Sequence, residues 1–215
     1  MKVLSLAIVL IIFPASVLAQ ESKRQTALSA KYDLIVDQSN CLSDWRGRTC
    51  DETLKFLRKN SRRPFQSISL RAGDEPPIFG DFNFDGNEDV AICDGMNGGY
   101  VTRSYRVYLF SATKGRFLFD PAFTSLSQGP SMGFFEIDRK KKTLTTATKM
   151  GFGHFTQPKY DVYHGKPRLI YKRIHDESSA EQIWALITTK RLINGKWRTW
   201  SKRERINPLP LVSNN

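Results

Sequence analysis

The chain has 215 residues, 40% of them hydrophobic and 12% aromatic, with a formal net charge of +12. That apolar content is enough for a core and excludes wholesale disorder, and three cysteines are too few for a disulfide-stapled scaffold. The length suits one domain, and beyond the N-terminus no stretch approaches the roughly 20 consecutive apolar residues of a membrane span.

Residues 1–19 open "MKVLSLAIVLIIFPASVLA", a basic start, a short apolar run and small residues ending at Ala19. This is the layout of a secretory signal peptide cleaved after Ala19. Gln20 would follow the cut, so there is no cysteine there to carry a lipid. The mature chain is therefore expected in the periplasm or outside the cell, without a stable membrane anchor. Export argues against nucleic acid as a partner despite the charge. The cations are spread through "LRKNSRRPF", "DRKKKTL", "YKRIH" and "TTKRLINGKWRTWSKRERI", as on solvated faces and on edge strands guarded against aggregation. An anionic envelope polymer or an acidic protein is the other use for them.

Residues 20–64 form an N-terminal segment. "ESKRQTALSA" is polar and expected to fray, and "KYDLIVDQ" predicts the first strand. Cys41 and Cys50 are the natural disulfide pair in an oxidising compartment. After them, "DETLKFLRKN" predicts a short helix, with an Asp at the N-cap, Leu54, Phe56 and Leu57 at helix-compatible spacing and a basic end. Cys93 follows "VAI" in an apolar strand pattern and is expected to be a buried, inert thiol.

Residues 65–215 read as an antiparallel β domain: "SISLRA", "DVAIC", "SYRVYLF", "GRFLFD", "GFFEID", "KTLTTATKM", "PKYDVYH", "PRLIYKRIH", "AEQIWALITTKRLI" and "KWRTWSKRERI" are strand-like runs. Turn residues such as "NGG", "TKG", "DRKKK", "HGKP" and "NGK" separate them. Tyr105, Val107 and Leu109 share one face by alternation, and Asn194-Gly195 is a strong two-residue hairpin signal. The fold class is thus mainly β, with antiparallel sheets in a sandwich-like or partial propeller-like arrangement and one short N-terminal helix.

Within "GDFNFDGNEDVAIC", Asp81, Asn83 and Asp85 place oxygens at every second position, Gly86 permits a sharp turn, Asn87 can offer its carbonyl and Asp89 closes the ring. A hard divalent ion that takes 6–8 oxygens at about 2.3–2.6 Å is served by that spacing, and Ca²⁺ more readily than Mg²⁺. The twelfth position from Asp81 is Ile92 and the flanks read as strands, so this is not an EF-hand. Every ligand comes from the protein, which points to a structural ion; an Asx-rich turn without metal is the plainer reading.

These residues resemble the calcium loop of FG-GAP-type β-propeller repeats. The order from Phe79 to Arg173, this loop followed by "GGY", "YRVYLF", "GRFLFDPAFTSLS", "FEIDRKKKTLTTATK" and "YDVYHGKPRLIYKR", resembles a bacterial family of secreted immunity proteins associated with antibacterial type IV secretion. Members of that family inhibit lysozyme-like peptidoglycan hydrolases in the periplasm and carry a calcium site. The resemblance implies that the turn after "KKKTLT" corresponds to the Ser-Gly-x-x-Tyr loop of periplasmic lysozyme inhibitors, which enters the hydrolase cleft. Here "KMGFGHFTQP" sets Met150, Gly151 and His154 at the Ser, Gly and Tyr positions, and only the glycine is kept.

The leading expectation is a non-enzymatic, exported Ca²⁺-binding protein that blocks a peptidoglycan hydrolase or binds another envelope protein, with Gly151, Phe152, His154, Phe155 and Tyr100 at the contact. The alternative is a cell-wall or carbohydrate-binding module with Trp197 and Trp200 as the stacking platform, although their odd spacing sends them to opposite strand faces. A secreted hydrolase using Glu136 with Asp138, or Asp176 with Glu177, is a third possibility. His164 reads as turn chemistry and His175 as a solvated strand end.

Overall fold

The structure is a computed structural model, and it describes residues 21–25, 29–177 and 184–206. The predicted signal peptide and the first residues of "AEQIW" lie outside the described residues. Among the described residues no helix is long and apolar enough to cross a membrane.

The N-terminal sheet has the order β1-β2-β3-β4, with β1 at Glu21–Gln25, β2 at Tyr32–Asp44, β3 at Gly47–Arg58 and β4 at Gln66–Gly73. Two expectations are corrected here. "ESKRQ" is not frayed: its backbone pairs with β2 from Glu21↔Gln38 to Gln25↔Leu34, because an edge strand satisfies exposed N–H and C=O groups whatever its side chains. The helix predicted over "DETLKFLRKN" is β3 instead. Cys50, Glu52, Leu54 and Phe56 are buried at strict alternation along it, and both of its edges are taken, by β2 from Tyr32↔Arg58 to Asp44↔Gly47 and by β4 from Thr49↔Gly73 to Phe56↔Gln66. The tertiary pairing overrides a pattern that also fits a helix.

The second sheet runs β5-β6-β7-β8, with β5 at Ile78–Gly80, β6 at Asp89–Gly95, β7 at Ser104–Ser111 and β8 at Arg116–Phe119. It is the middle layer. Val90, Ile92 and Tyr108 join Leu34, Leu54, Phe56 and Phe117 in one core cluster, toward the N-terminal sheet. Ala91, Cys93, Tyr105 and Val107 join Phe82, Phe123, Phe135 and Leu144 in the other. Burial on both faces is why "DVAIC" is a continuous apolar run and not an alternating one. The predicted common face of Tyr105, Val107 and Leu109 belongs to that second cluster. Gly73 marks a close approach of the two sheets, since a Cβ there would lie 2.8 Å from Cys93 Sγ.

Behind the middle layer, a short helix α1, Pro121–Thr124, continues into a tight turn at Ser125–Ser127 and buries Phe123 and Leu126. Asp120 caps it, accepting the N–H groups of Ala122 and Phe123 at 2.9 Å, and Pro121 holds the first helical position.

The largest sheet has the order β15-β14-β13-β12-β10-β9, with β11 also on β12. Its strands are β9 Glu136–Asp138, β10 Thr143–Thr145, β11 Thr148–Lys149, β12 His154–Tyr163, β13 Lys166–Asp176, β14 Trp184–Ile193 and β15 Lys196–Arg205. Ile137, Leu144, Tyr160 and Val162 give one of its faces to the core; Ala185 and Ile187 of β14 are buried, while β15 is exposed along nearly all its length. Its two-residue turn is the predicted one, with Asn194 at φ 49° and Gly195 at φ 75° between the paired Ile193 and Lys196. His164 and Gly165 turn the β12–β13 hairpin in the same way.

Candidate functional site

The acidic loop joins β5 to β6 and is closed by the Gly80↔Asp89 pair. Its side chains divide by alternation. Phe82 is fully buried and Phe84 packs against the same cluster, which turns Asp81, Asn83 and Asp85 outward. Asp81 accepts the N–H groups of Asp85 and Gly86, both at 3.0 Å; Asn83 Oδ1 also accepts Asp85 N–H, at 3.1 Å, and Asp85 accepts that of Asn87, at 2.7 Å. Gly86 sits at φ 86°, the left-handed region that favours glycine.

Asp89 has a different task. It is completely buried, with Oδ2 accepting Phe82 N–H and Oδ1 accepting Phe110 N–H, both at 2.8 Å. Burial pushes its carboxyl up to about 7; the two backbone donors oppose the rise, and nearby Asp85 and Asp81 add to it. Glu88, which sequence reasoning passed over, accepts from Ser29 Oγ at 2.5 Å and so fastens the loop to the start of β2. Lys31 Nζ donates to Gly86 O at 3.3 Å beside it. Among the described residues no group of three or more His, Cys, Asp or Glu side chains is arranged to hold a metal. Of the predicted ligands, Asp81, Asn83 and Asp85 are brought together at the rim, while Asp89 turns inward.

The second predicted feature is the turn between β11 and β12. Met150 N–H donates to His154 O at 3.0 Å, and Gly151 and Gly153 lie at φ 123° and 66°. The side chain at the tip, Phe152, is 91% exposed, and Met150 beside it is 66% exposed. Gly153 is pressed on Glu177, where a Cβ would come within 2.7 Å of Glu177 Cβ, so the turn has a fixed base.

Tyr100 comes from the Gly99–Val101 turn of the middle layer, held by Gly99 N–H on Ser131 O at 2.7 Å. It meets the loop through Lys149, whose Nζ lies 4.7 Å from the Tyr100 ring centroid and 5.1 Å from that of Phe155. Met150, Phe152, Tyr100 and Phe155 therefore form an aromatic, apolar apex with one cation inside it. His154 is not part of it: it is half-buried, with Nδ1 3.7 Å from Asp176, its cross-strand partner on β13. His175, predicted as solvated, is half-buried and bonded to Glu177 at 2.6 Å.

Cys41 and Cys50 form the predicted disulfide across the β2–β3 hairpin, at a register shift between Ser39 and Leu42. Cys93 is buried and its thiol is pushed up by that burial. Trp197 and Trp200 are both about half exposed and pair with Leu192 and Thr189, which alternation sets on opposite faces.

No family model matches the chain, and no curated protein does. A solved structure described as a Xanthomonas type IV secretion system related protein has a similar fold, with a TM-score of 0.66 and 19% identity over 87% of this chain and 95% of that one.

Proposed function

We propose that this chain is an exported inhibitor that docks on a peptidoglycan hydrolase through the β11–β12 turn, with a structural Ca²⁺ ion in the β5–β6 loop. The observation that carries the reading is the apex itself: Phe152 stands 91% exposed on a turn with a fixed base, with Met150 exposed beside it and Lys149 at the foot of the turn against Tyr100 and Phe155. Large exposed apolar side chains held on a rigid frame cost little ordering entropy on binding, and such aromatics are the usual anchors of an interface. The resemblance in the sequence assigns the same turn to a hydrolase cleft. With Gly151 kept but Ser and Tyr replaced by Met150 and His154, and with His154 Nδ1 turned toward Asp176 at 3.7 Å, the apex would enter by apolar contact rather than by a donated hydrogen bond.

For the ion, Asp81, Asn83 and Asp85 project from one tight loop, and a divalent cation there would relieve the repulsion that Asp85 and Asp81 exert on Asp89. Of the acids considered for hydrolysis, Asp138 is held below the usual carboxylate range, chiefly by the Lys141 N–H, Asp176 lies 3.7 Å from His154 and Glu177 bonds His175, and Glu136 is exposed on β9. The mature chain should slow digestion of peptidoglycan by at least one of a panel of lysozyme-like hydrolases at stoichiometric concentration. Unaltered rates across the panel, with no complex by gel filtration, would reject the inhibitor reading.

A further inference from the structure

The outer face of the largest sheet, turned away from the core, carries a groove of about 820 Å³ between β10, β12, β13 and the β14–β15 turn. Its floor is a rank of residues in register across the strands: Thr145↔Lys159, Lys159↔Tyr171, Tyr171↔Arg191 and Arg191↔Arg198. At about 4.8 Å per strand the rank runs roughly 19 Å. Arg168 is locked on Asp161 at 3.0 and 2.5 Å, Arg173 reaches Glu204 at 3.6 Å and Lys141 reaches Asp138 at 3.5 Å. Lys159 and Arg191 line the same groove and have no ion-pair partner among the described residues. One strand, β13, lies between them, so two strand spacings set them roughly 10 Å apart, with Tyr171 between.

A second observation lies in the groove. Thr143, one of its lining residues, is only 6% exposed, and its Oγ1 is the buried side-chain oxygen or nitrogen without a hydrogen-bond partner among the described residues. Buried hydroxyls are ordinarily satisfied, and this one belongs to a residue that lines the groove together with Gln157 and Thr145. Cations spaced widely, with neutral donors and acceptors between them, match a polymer that carries separated carboxylates and many hydroxyls. A protein partner would want an apolar centre, and here the apolar lining is limited to the half-buried Ile170, Tyr171 and Leu192 among charged and polar residues.

We infer that this groove binds a carboxylated glycan strand, with Lys159 and Arg191 taking successive carboxylates and Thr143 bonding a sugar hydroxyl. The site shares no residue with the apex at Phe152, so it does not depend on the inhibitor reading; it would hold the protein against an envelope polysaccharide.

The test is affinity electrophoresis of the mature chain through gels containing polygalacturonate, with neutral dextran and polyglutamate gels alongside. Polygalacturonate should retard the protein, and dextran and polyglutamate should not. The double variant Lys159→Ala/Arg191→Ala should bind polygalacturonate roughly tenfold more weakly. Lys190→Ala/Arg203→Ala, which removes the same charge from the opposite face by register, should bind as wild type. Thr143→Val should weaken binding while leaving the melting temperature unchanged or higher, since its hydroxyl bonds nothing in the free protein. Absence of retardation, equal losses in both double variants, or equal retardation by polyglutamate would each overturn the inference. Hydrolase inhibition, where present, should survive Lys159→Ala/Arg191→Ala.

Discussion

Asp89 Oδ1 accepts the backbone N–H of Phe110 at 2.8 Å, so the last acid of the β5–β6 loop is fastened to β7 and not left to the loop alone. With Oδ2 on Phe82 N–H, one fully buried carboxylate satisfies two donors. Asp89→Ala orphans both. At about 1–3 kcal/mol for each unsatisfied buried group, the substitution should cost roughly 3 kcal/mol in urea unfolding, and it should do so in chelator as well as in Ca²⁺.

Asp85 behaves differently because it is exposed and bonds only within its own loop. Asp85→Ala should change stability by no more than about 0.5 kcal/mol in chelator. In millimolar Ca²⁺ the wild type should melt at higher temperature than in chelator, since an ion bound only by the folded state stabilises it, and Asp85→Ala should lose that increment. A wild type that melts identically in both buffers would remove the ion from this loop while leaving the role of Asp89 intact.

The difference between these two acids shows what the sequence could convey. The spacing of Asp81, Asn83 and Asp85 around Gly86 is local and marks a tight acidic loop in the sequence alone, whereas the packing of Phe82 and Phe84 beneath it shows only in the fold. The inward turn of Asp89 depends on β7, 21 residues away, and had no local sign. The same limit explains β3. Leu54, Phe56 and Leu57 fit a helix and a strand alike, and the outcome rests on two neighbouring strands that offer open edges. α1 is the reverse case, because Asp120-Pro121 is a local start signal that directly follows the strand pattern of β8. The meeting of Tyr100 with Phe155 over Lys149, and the rank from Thr145 to Arg198, require strand register, including a shift between Lys159 and Tyr160 that spacing does not reveal.

Glu52 sets a pH dependence. It is 8% exposed on the buried side of β3, and burial pushes its carboxyl up, opposed by the Gln38 amide 2.5 Å away and by Arg48. A carboxyl raised in the folded state contributes stability that is complete below its unfolded value, about 4.3, and is lost as pH rises through the folded value. Glu52→Gln keeps an acceptor for Gln38 and cannot ionise. The variant should gain on wild type as pH rises from about 4 toward 7; a stability difference independent of pH would contradict the assignment.

The disulfide acts mainly on the unfolded chain. Cys41 and Cys50 are nine residues apart, and closing a loop of that length removes conformational entropy equivalent to about 2.5 kcal/mol. Replacing both by Ser should lower unfolding free energy by about that amount, while the β2–β3 pairing on either side should keep the fold. Unchanged stability under reducing and oxidising conditions would show that the bridge is idle.

The apex separates binding from folding most cleanly. Phe152 contributes almost nothing to the core at 91% exposure, so Phe152→Ala should leave the melting temperature within experimental error. If this ring enters a hydrolase cleft, its removal should weaken inhibition by 2 kcal/mol or more, about thirtyfold, as for a central interface aromatic. Tyr100→Ala should weaken it less, because Tyr100 is 54% exposed and partly covered by Lys149. His154→Ala should have a smaller effect again on inhibition, its imidazole being turned toward Asp176. A result in which His154→Ala abolishes inhibition and Phe152→Ala does not would mean that the loop enters the cleft by its hydrogen-bonding position, as in the Ser-Gly-x-x-Tyr inhibitors, and that the exposed phenyl ring is incidental.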